Sequence, residues 1–288
     1  MDQPTDPLTA GFGVPSLLCP HCAQRLDDVA GGVQCPNGHR FDRAREGYVH
    51  LLPAGRIKGR PAGDDEPMVK ARRAFFDAGH YRPVMATVAE RIGEQLATSA
   101  ATTTTHVLDA GCGEGAYLAA VTGRLGNAVG WGIDVSKPAV RLAAKRYKAH
   151  RYAVASSYRL PFADGVLDAV ITVFAPRHFP ELFRVLRPGG IVVVASPGPE
   201  HLDGLKALLY DEPRTHEVKA HVSGDGEPPP EHVERVRFDL HLAEPNDVVN
   251  LLQMTPYWWH ARPEHQRAAV ERDLSTIVDI WVTTHRKP

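Results

Sequence analysis

The chain holds 288 residues, 43% of them hydrophobic, enough for one large core or one core with a small satellite. Its formal net charge of −1 gives no bulk attraction to a polyanion, so nucleic-acid contact has to come from local patches. The longest apolar runs are strand-sized, too short for a helical membrane span, and no charged-then-apolar leader opens the chain. A cytoplasmic protein with no membrane partner is expected.

Residues 1–16 contain Pro, Thr and Asp without periodicity and read as a disordered lead-in. From 17 to about 54 runs a compact segment holding three of the four cysteines. Cys19-Pro20-His21-Cys22 is followed by Cys35-Pro36-Asn37-Gly38-His39, a Cys-x2-Cys-x12-Cys-x3-His spacing. In a reducing compartment such clustering points to a metal rather than to disulfides. Three sulfurs and one nitrogen, from Cys19, Cys22, Cys35 and His39, suit tetrahedral Zn2+ and leave no position for a catalytic water, so the ion is structural. His21 is a rival nitrogen, but it sits inside the first knuckle and would strain it. The alternative is free thiols in a small core, yet a segment of about forty residues has too little apolar content to fold without a staple.

Residues 55–67 hold three glycines and two prolines and read as a hinge or exposed loop. The expected division is therefore a zinc-binding segment at 17–54, a linker at 55–67 and a larger domain at 68–288. Helices are expected at 69–76 and 83–96, then strands at about 106–110 and 129–133 with a helix at 114–125 between them. A helix at 138–148 has Pro138 in its first turn. Strands follow at 152–155, 167–173 and 190–196, a helix at 268–273 and a strand at 275–284. This alternation implies an α/β fold with a parallel, doubly wound, Rossmann-like sheet.

The first of those strands ends in Val107-Leu108-Asp109-Ala110-Gly111-Cys112-Gly113-Glu114-Gly115, and the second in Trp131-Gly132-Ile133-Asp134. Glycines let a backbone approach a ligand closely, and an acid about twenty residues later accepts hydrogen bonds from ribose hydroxyls. A dinucleotide site wants Gly-x-Gly-x-x-Gly around a pyrophosphate. Here the spacing is Gly-x-Gly-x-Gly, with Asp109 before it and Glu114 inside it. Carboxylates repel a phosphate but attract a sulfonium or an ammonium. The loop resembles the S-adenosylmethionine site of class I methyltransferases, which makes Asp109, Gly111, Gly113, Glu114 and Asp134 cofactor candidates. A glycine-rich turn without a ligand is the alternative. Ser156 stands where many such enzymes carry an acid for the adenine amino group, so Ser157 and backbone groups are expected to share that task. Cys112 reads as a small packing residue rather than a nucleophile.

Directly after the metal motif comes Arg40-Phe41-Asp42-Arg43-Ala44-Arg45-Glu46-Gly47-Tyr48-Val49-His50-Leu51-Leu52-Pro53, and further on Ala71-Arg72-Arg73-Ala74-Phe75-Phe76-Asp77-Ala78-Gly79-His80-Tyr81. With the zinc quartet and the glycine loop, these resemble the bacterial 23S rRNA (guanine-N1)-methyltransferases, some of which confer resistance to tylosin-type macrolides. The likeness continues through Ala155-Ser156-Ser157-Tyr158-Arg159-Leu160-Pro161-Phe162, Pro197-Gly198-Pro199-Glu200-His201-Leu202 and Leu251-Leu252-Gln253-Met254-Thr255-Pro256. The resemblance implies zinc on Cys19, Cys22, Cys35 and His39, contacts to S-adenosylmethionine from Tyr81, Gly113, Glu114 and His201, and a ribose on Asp134. It further implies methyl transfer to guanine N1 in a domain II hairpin loop of 23S rRNA, an antiparallel final strand, and a homodimer whose zinc segments help form an RNA cleft.

Arg40, Arg43, Arg45, Arg56, Lys58 and Arg60 fall within 21 residues whose acids are Asp42 and Glu46, giving the zinc segment a basic face for phosphates. Lys137, Arg141, Lys145 and Lys148 recur at helical spacing with no acid from 137 to 151; such a stripe can neutralise phosphates, but for this helix alone a solvated face is the favoured reading. Residues 225–247 carry seven acids against Arg235 and Arg237 and are expected to face away from RNA. Trp258 or Trp259 is a candidate to stack on an unpaired guanine, the other turning inward. Guanine N1 carries a proton that has to leave. In Phe174-Ala175-Pro176-Arg177-His178, Arg177 is a candidate to stabilise charge on O6 and His178 to accept the proton; a surface role is an equal reading of either. This stretch lacks the Asn/Asp-Pro-Pro-Tyr of exocyclic-amine methylation, in keeping with a ring-nitrogen target. Two rival functions remain at this point. One is a small-molecule, natural-product methyltransferase, which leaves the basic zinc segment without a role; the other is a catalytically silent RNA-binding or ribosome-assembly factor.

Overall fold

The computed structural model of the protein describes residues 15–53, 63–96, 104–209, 227–255, 262, 264–266 and 273–288. In the metal segment, β1 (Asp27–Val29), β2 (Gly32–Gln34) and β3 (Arg40–Asp42) form a small antiparallel sheet, followed by β4 (Val49–His50). Helices α1 (Glu66–Asp77) and α2 (Arg82–Leu96) lead into β5 (Thr105–Ala110), α3 (Ala116–Leu125), β6 (Ala128–Asp134), α4 (Lys137–Arg146) and β7 (Arg151–Val154). Then come β8 (Leu167–Val173), α5 (Phe179–Val185), β9 (Leu186–Pro197), α6 (Asp203–Leu209), β10 (His232–Leu242), α7 (Pro245–Gln253) and β11 (Leu274–Arg286).

Eight strands make one sheet in the order β10-β11-β9-β8-β5-β6-β7-β4. From β9 to β4 neighbouring strands run parallel, while β11 enters antiparallel between β9 and β10. The winding reverses between β5 and β8, which opens a crevice above their C-terminal ends. Alternation along the strands feeds two cores. Val107, Ala169 and Ile171 pack with α2, α3 and α7 on one face; Leu108, Val170 and Leu182 pack with α5 on the other. Each such fully buried aliphatic side chain contributes about 1.5–3 kcal/mol.

The metal segment is built into this second core. Cys19, Leu26, Val33, Cys35, Val49 and Leu51 share one buried cluster with Leu108, Trp131 and Phe162. Its last strand, β4, pairs in parallel with β7, and Leu17 bridges to Phe162. Downstream, Asp65 accepts the Met68 N–H at 3.1 Å and Pro67 occupies the first turn, so α1 starts upstream of the expected residue 69 and inside the expected linker. The unforeseen β10 is the far edge strand, and its apolar Val236, Phe238, Leu240 and Leu242 alternate with charged neighbours. The helix expected at 268–273 lies outside the described residues apart from Asp273. Among the described residues no helix is long and apolar enough to cross a membrane.

Candidate active site

Above the ends of β5 to β9 lies a cavity of about 800 Å3. Tyr81, Asp109, Gly111, Gly113, Glu114, Asp134, Ser156, Ser157 and His201 all line it, and so does Arg177. The floor is the glycine loop, in which Gly111, Gly113 and Gly115 have φ of 94°, 52° and 90°. A Cβ at Gly111 would stand 2.5 Å from the Ala175 Cβ, and one at Gly115 2.8 Å from the Tyr152 hydroxyl. Only glycine meets both demands.

Three acids surround that loop. Asp134 accepts the Gly113 N–H at 2.9 Å and the Ser136 N–H at 2.7 Å, fixing the loop to the end of β6. Glu114, 2% exposed, pairs with Arg73 at 3.1 Å, and Arg73 also donates to the Leu142 carbonyl of α4 at 2.9 Å. Asp109 is equally buried, and its Oδ1 has no hydrogen-bond partner. Burial, then the charges of Asp134 and Glu114, push the Asp109 carboxyl well above the usual carboxylate range. A buried carboxyl oxygen without a partner is costly, and the residue that carries it borders a cavity able to take a cationic ligand. Arg72 of α1 lines the same end, its guanidinium facing Gly113 and held by Asp64 at 2.5 Å. Arg72 and Arg73 figured in the sequence only within the family-like stretch. Their partners Met254 and Glu114 lie 182 and 41 residues away, beyond the reach of local pattern.

The other end of the cavity is aromatic. Phe174, just past β8, has φ of 52° and is 42% exposed. Its ring stacks on His201, with centroids 5.8 Å apart and planes 18° apart, and Tyr81 stands edge-on to His201 at 6.4 Å. The His201 Nδ1 accepts the Asp279 N–H at 3.3 Å, which leaves the ring proton on Nε2, 3.4 Å from the Tyr81 hydroxyl. Burial pulls the His201 pKa down to about 4, so the ring is neutral at pH 7. Tyr158, 60% exposed, stands at the rim. Ser156 accepts the Tyr158 N–H at 3.2 Å, and Ser157 donates to the Pro176 carbonyl at 3.3 Å, joining the loops after β7 and β8. The buried Ser196 hydroxyl lines the cavity without a partner.

Arg177 reaches this cavity but is clasped by Glu227, with Nε–Oε1 at 2.7 Å. His178 is exposed at the N-cap of α5 and outside the cavity lining. Trp258 and Trp259, with Arg56, Lys58 and Arg60, lie outside the described residues.

In the zinc segment the Sγ atoms of Cys19, Cys22 and Cys35 and the Nδ1 of His39 all lie within 4.8 Å of one another. The closest separations are 3.4, 3.5 and 3.6 Å. A tetrahedron with Zn–S of about 2.3 Å and Zn–N of about 2.0–2.1 Å has edges of roughly 3.6–3.8 Å, so the chemistry of the quartet and its three closest separations suit zinc. His21 instead packs on Phe41, with ring centroids 5.9 Å apart. Around the quartet, Arg40 donates to the Ala30 carbonyl at 2.7 Å and Arg43 pairs with Asp28, whereas Arg45 has no acidic partner among the described residues.

A glycine loop of left-handed residues, an acid closing the next strand, and an antiparallel last strand beside a parallel sheet define an S-adenosylmethionine-dependent methyltransferase of class I. Residues 108–194 match the family described as methyltransferase domain, and residues 17–59 match the one described as RlmA, N-terminal. The 23S rRNA (guanine(748)-N(1))-methyltransferase of Streptomyces fradiae is 38% identical over 257 residues, covering 86% of this chain and 87% of that one. A Micromonospora griseorubida protein, provisionally named a 23S rRNA (guanine-N(1)-)-methyltransferase, is 38% identical over 89% of this chain and 91% of its own. YxjB of Bacillus subtilis, provisionally named likewise, is 31% identical over 92% and 95%. The chain belongs to the 23S rRNA (guanine-N1)-methyltransferase family.

Proposed function

We propose that this protein transfers the methyl group of S-adenosylmethionine to N1 of a guanine in the domain II hairpin loop of 23S rRNA. The observation that carries the reading is the two-ended cavity, with an unpartnered, buried Asp109 oxygen at one end and an exposed, left-handed Phe174 ring at the other.

S-adenosylmethionine, when bound, supplies a methyl group on a cationic sulfur. Asp109 and Glu114 give the donor end the negative potential that such a cation and its ammonium need, while Arg72 is the cation beside them for a carboxylate. Asp134 and the loop backbone hold the ribose, and Ser156 and Ser157 border the adenine. His201, kept neutral by burial, adds no charge that would repel the sulfonium. Tyr81 and Gly113 complete the wall. At the acceptor end Phe174, with Tyr158 at the rim, replaces the stacking a guanine loses on leaving its hairpin, worth roughly 1–3 kcal/mol per base. Arg177, held by Glu227, is the group for charge developing on O6. Holding donor and acceptor in line can supply roughly 7–11 kcal/mol of the barrier, more than proton removal alone.

Cys19, Cys22, Cys35 and His39 hold the zinc that shapes the basic lobe, and Arg40, Arg43 and Arg45 contribute to RNA contact. The reading extends to a cytoplasmic homodimer and to macrolide resistance in the host. Sedimentation of the pure protein and drug susceptibility of a deletion strain test those two points. The central test incubates the protein with labelled S-adenosylmethionine and 23S rRNA lacking the mark. N1-methylguanine in domain II by mass mapping is expected; label on a small metabolite with the RNA ignored overturns the reading.

A further inference from the structure

A second groove, of about 920 Å3, runs between the zinc lobe and α4, outside the methyl-transfer cavity. The zinc lobe contributes Arg43 and Arg45, α1 contributes Lys70, and the helix side contributes Arg141, Lys145 and Lys148. With Arg151 that makes seven cations lining it, against the acids Glu46 and Glu66. Glu66 is already engaged by Lys70 and Arg141, each at 2.9 Å. Among the described residues Arg45, Lys145 and Lys148 have no acidic partner. Two charge runs about a hundred residues apart in the chain therefore face one another across a single trough. A solvated helix face has no such opposing wall.

The position of the groove matters as much as its charge. Met68 and Arg72 of α1 line the donor end of the cavity, while Glu66 and Lys70 of the same helix line the groove. One helix thus separates them. β10, where Glu234 and Asp239 balance Arg235 and Arg237, lies at the opposite edge of the sheet from β4 and the zinc lobe.

We infer that this groove seats the phosphate backbone of RNA flanking the target hairpin, so that affinity comes from the α4 and zinc-lobe flank while base choice is made in the cavity. The inference rests on reading the chain as an rRNA methyltransferase, and the experiment separates the two. The zinc-loaded full chain is titrated with a domain II transcript of 23S rRNA at several salt concentrations, as wild type, K145A/K148A and K145R/K148R. Each lost phosphate contact lowers the slope of log K against log salt by about 0.7–0.9, so K145A/K148A should lose about 1.4–1.8 and bind roughly tenfold more weakly. Its melting temperature and its affinity for S-adenosylmethionine should match wild type, and its KM for the transcript should rise with kcat retained. K145R/K148R should keep the wild-type slope. If wild type binds and methylates the transcript but K145A/K148A shows the same slope and affinity, the groove is not a phosphate track, and the methyltransferase reading stands. Equal loss in K145R/K148R would show packing rather than charge and would also overturn the inference. If wild type neither binds nor methylates the transcript, both fall together.

Discussion

Arg73 and Glu114 meet 41 residues apart in sequence, with Nε 3.1 Å from Oε2 and the carboxylate 2% exposed. The same guanidinium holds the Leu142 carbonyl, so one side chain ties α1 to the glycine loop and to α4. Burial nevertheless leaves the Glu114 carboxyl above its ordinary range, because desolvation outweighs the Arg73 charge. Removing Arg73 strands a buried charge. Arg73→Met should cost about 3 kcal/mol in urea unfolding, within the range for breaking a buried pair, and should weaken S-adenosylmethionine binding. Adding Glu114→Gln should return part of the stability but not the ligand affinity. A single substitution that leaves both unchanged would show the pair to be ornamental.

Asp109 sets a pH dependence of donor binding. Without ligand its carboxyl is pushed well up by burial and by Asp134 and Glu114, so it stays protonated above the usual carboxylate range. A bound cation favours the ionised form and lowers that pKa, so binding releases a proton. Affinity should therefore rise with pH between the usual carboxylate range and the raised value of the free protein, then level off. Calorimetry in two buffers of different ionisation enthalpy reads the released proton. Asp109→Asn should abolish the release; a proton release that persists in the variant assigns it elsewhere.

Local pattern carried the reading a long way. Leu167–Val173 is a strand to the residue, because five apolar residues among seven positions between turn signals admit little else, and all seven are buried. The three loop glycines were legible because left-handed backbone selects glycine. What escaped depends on contacts across the chain. The role of Arg73 needs a partner 41 residues on, and the cationic trough exists only once β4 has joined β7 beside α4. The left-handed φ of Phe174 has no sequence signature, since phenylalanine rarely goes there. Strand β10 does carry a local signal, since Val236, Phe238, Leu240 and Leu242 alternate, but the period is overlaid by the seven acids of 225–247.

Zinc should behave as a structural clamp whose loss spreads. Cys19 and Cys35 are buried in the cluster that also holds Trp131 and Phe162, and β4 hangs on β7. Chelation, or Cys19→Ser, should release one zinc per chain and expose the lobe to protease while β5, β6 and the glycine loop hold. Donor affinity should stay nearly constant and transcript affinity should drop. Metal analysis, limited proteolysis and calorimetry together check this. Zinc-free protein that binds transcript as tightly as before would remove the lobe from RNA recognition.

Phe174 separates function from stability. A non-glycine residue in left-handed backbone costs roughly 1–2 kcal/mol, and this one is 42% exposed, so the ring recovers only part of that by packing on His201. Phe174→Gly relieves the backbone but adds about 0.5–1 kcal/mol of chain entropy to be lost on folding, leaving net stability within about 1 kcal/mol of wild type. Activity should respond differently. If the ring stacks on the extruded guanine, its loss should lower kcat/KM for the transcript by roughly 5- to 150-fold, equivalent to 1–3 kcal/mol, with donor affinity intact. Phe174→Tyr, which keeps a stacking face, should retain most of the rate. Full activity in Phe174→Gly would move the base-stacking role to another aromatic, with Tyr158 at the same rim as the next residue to replace.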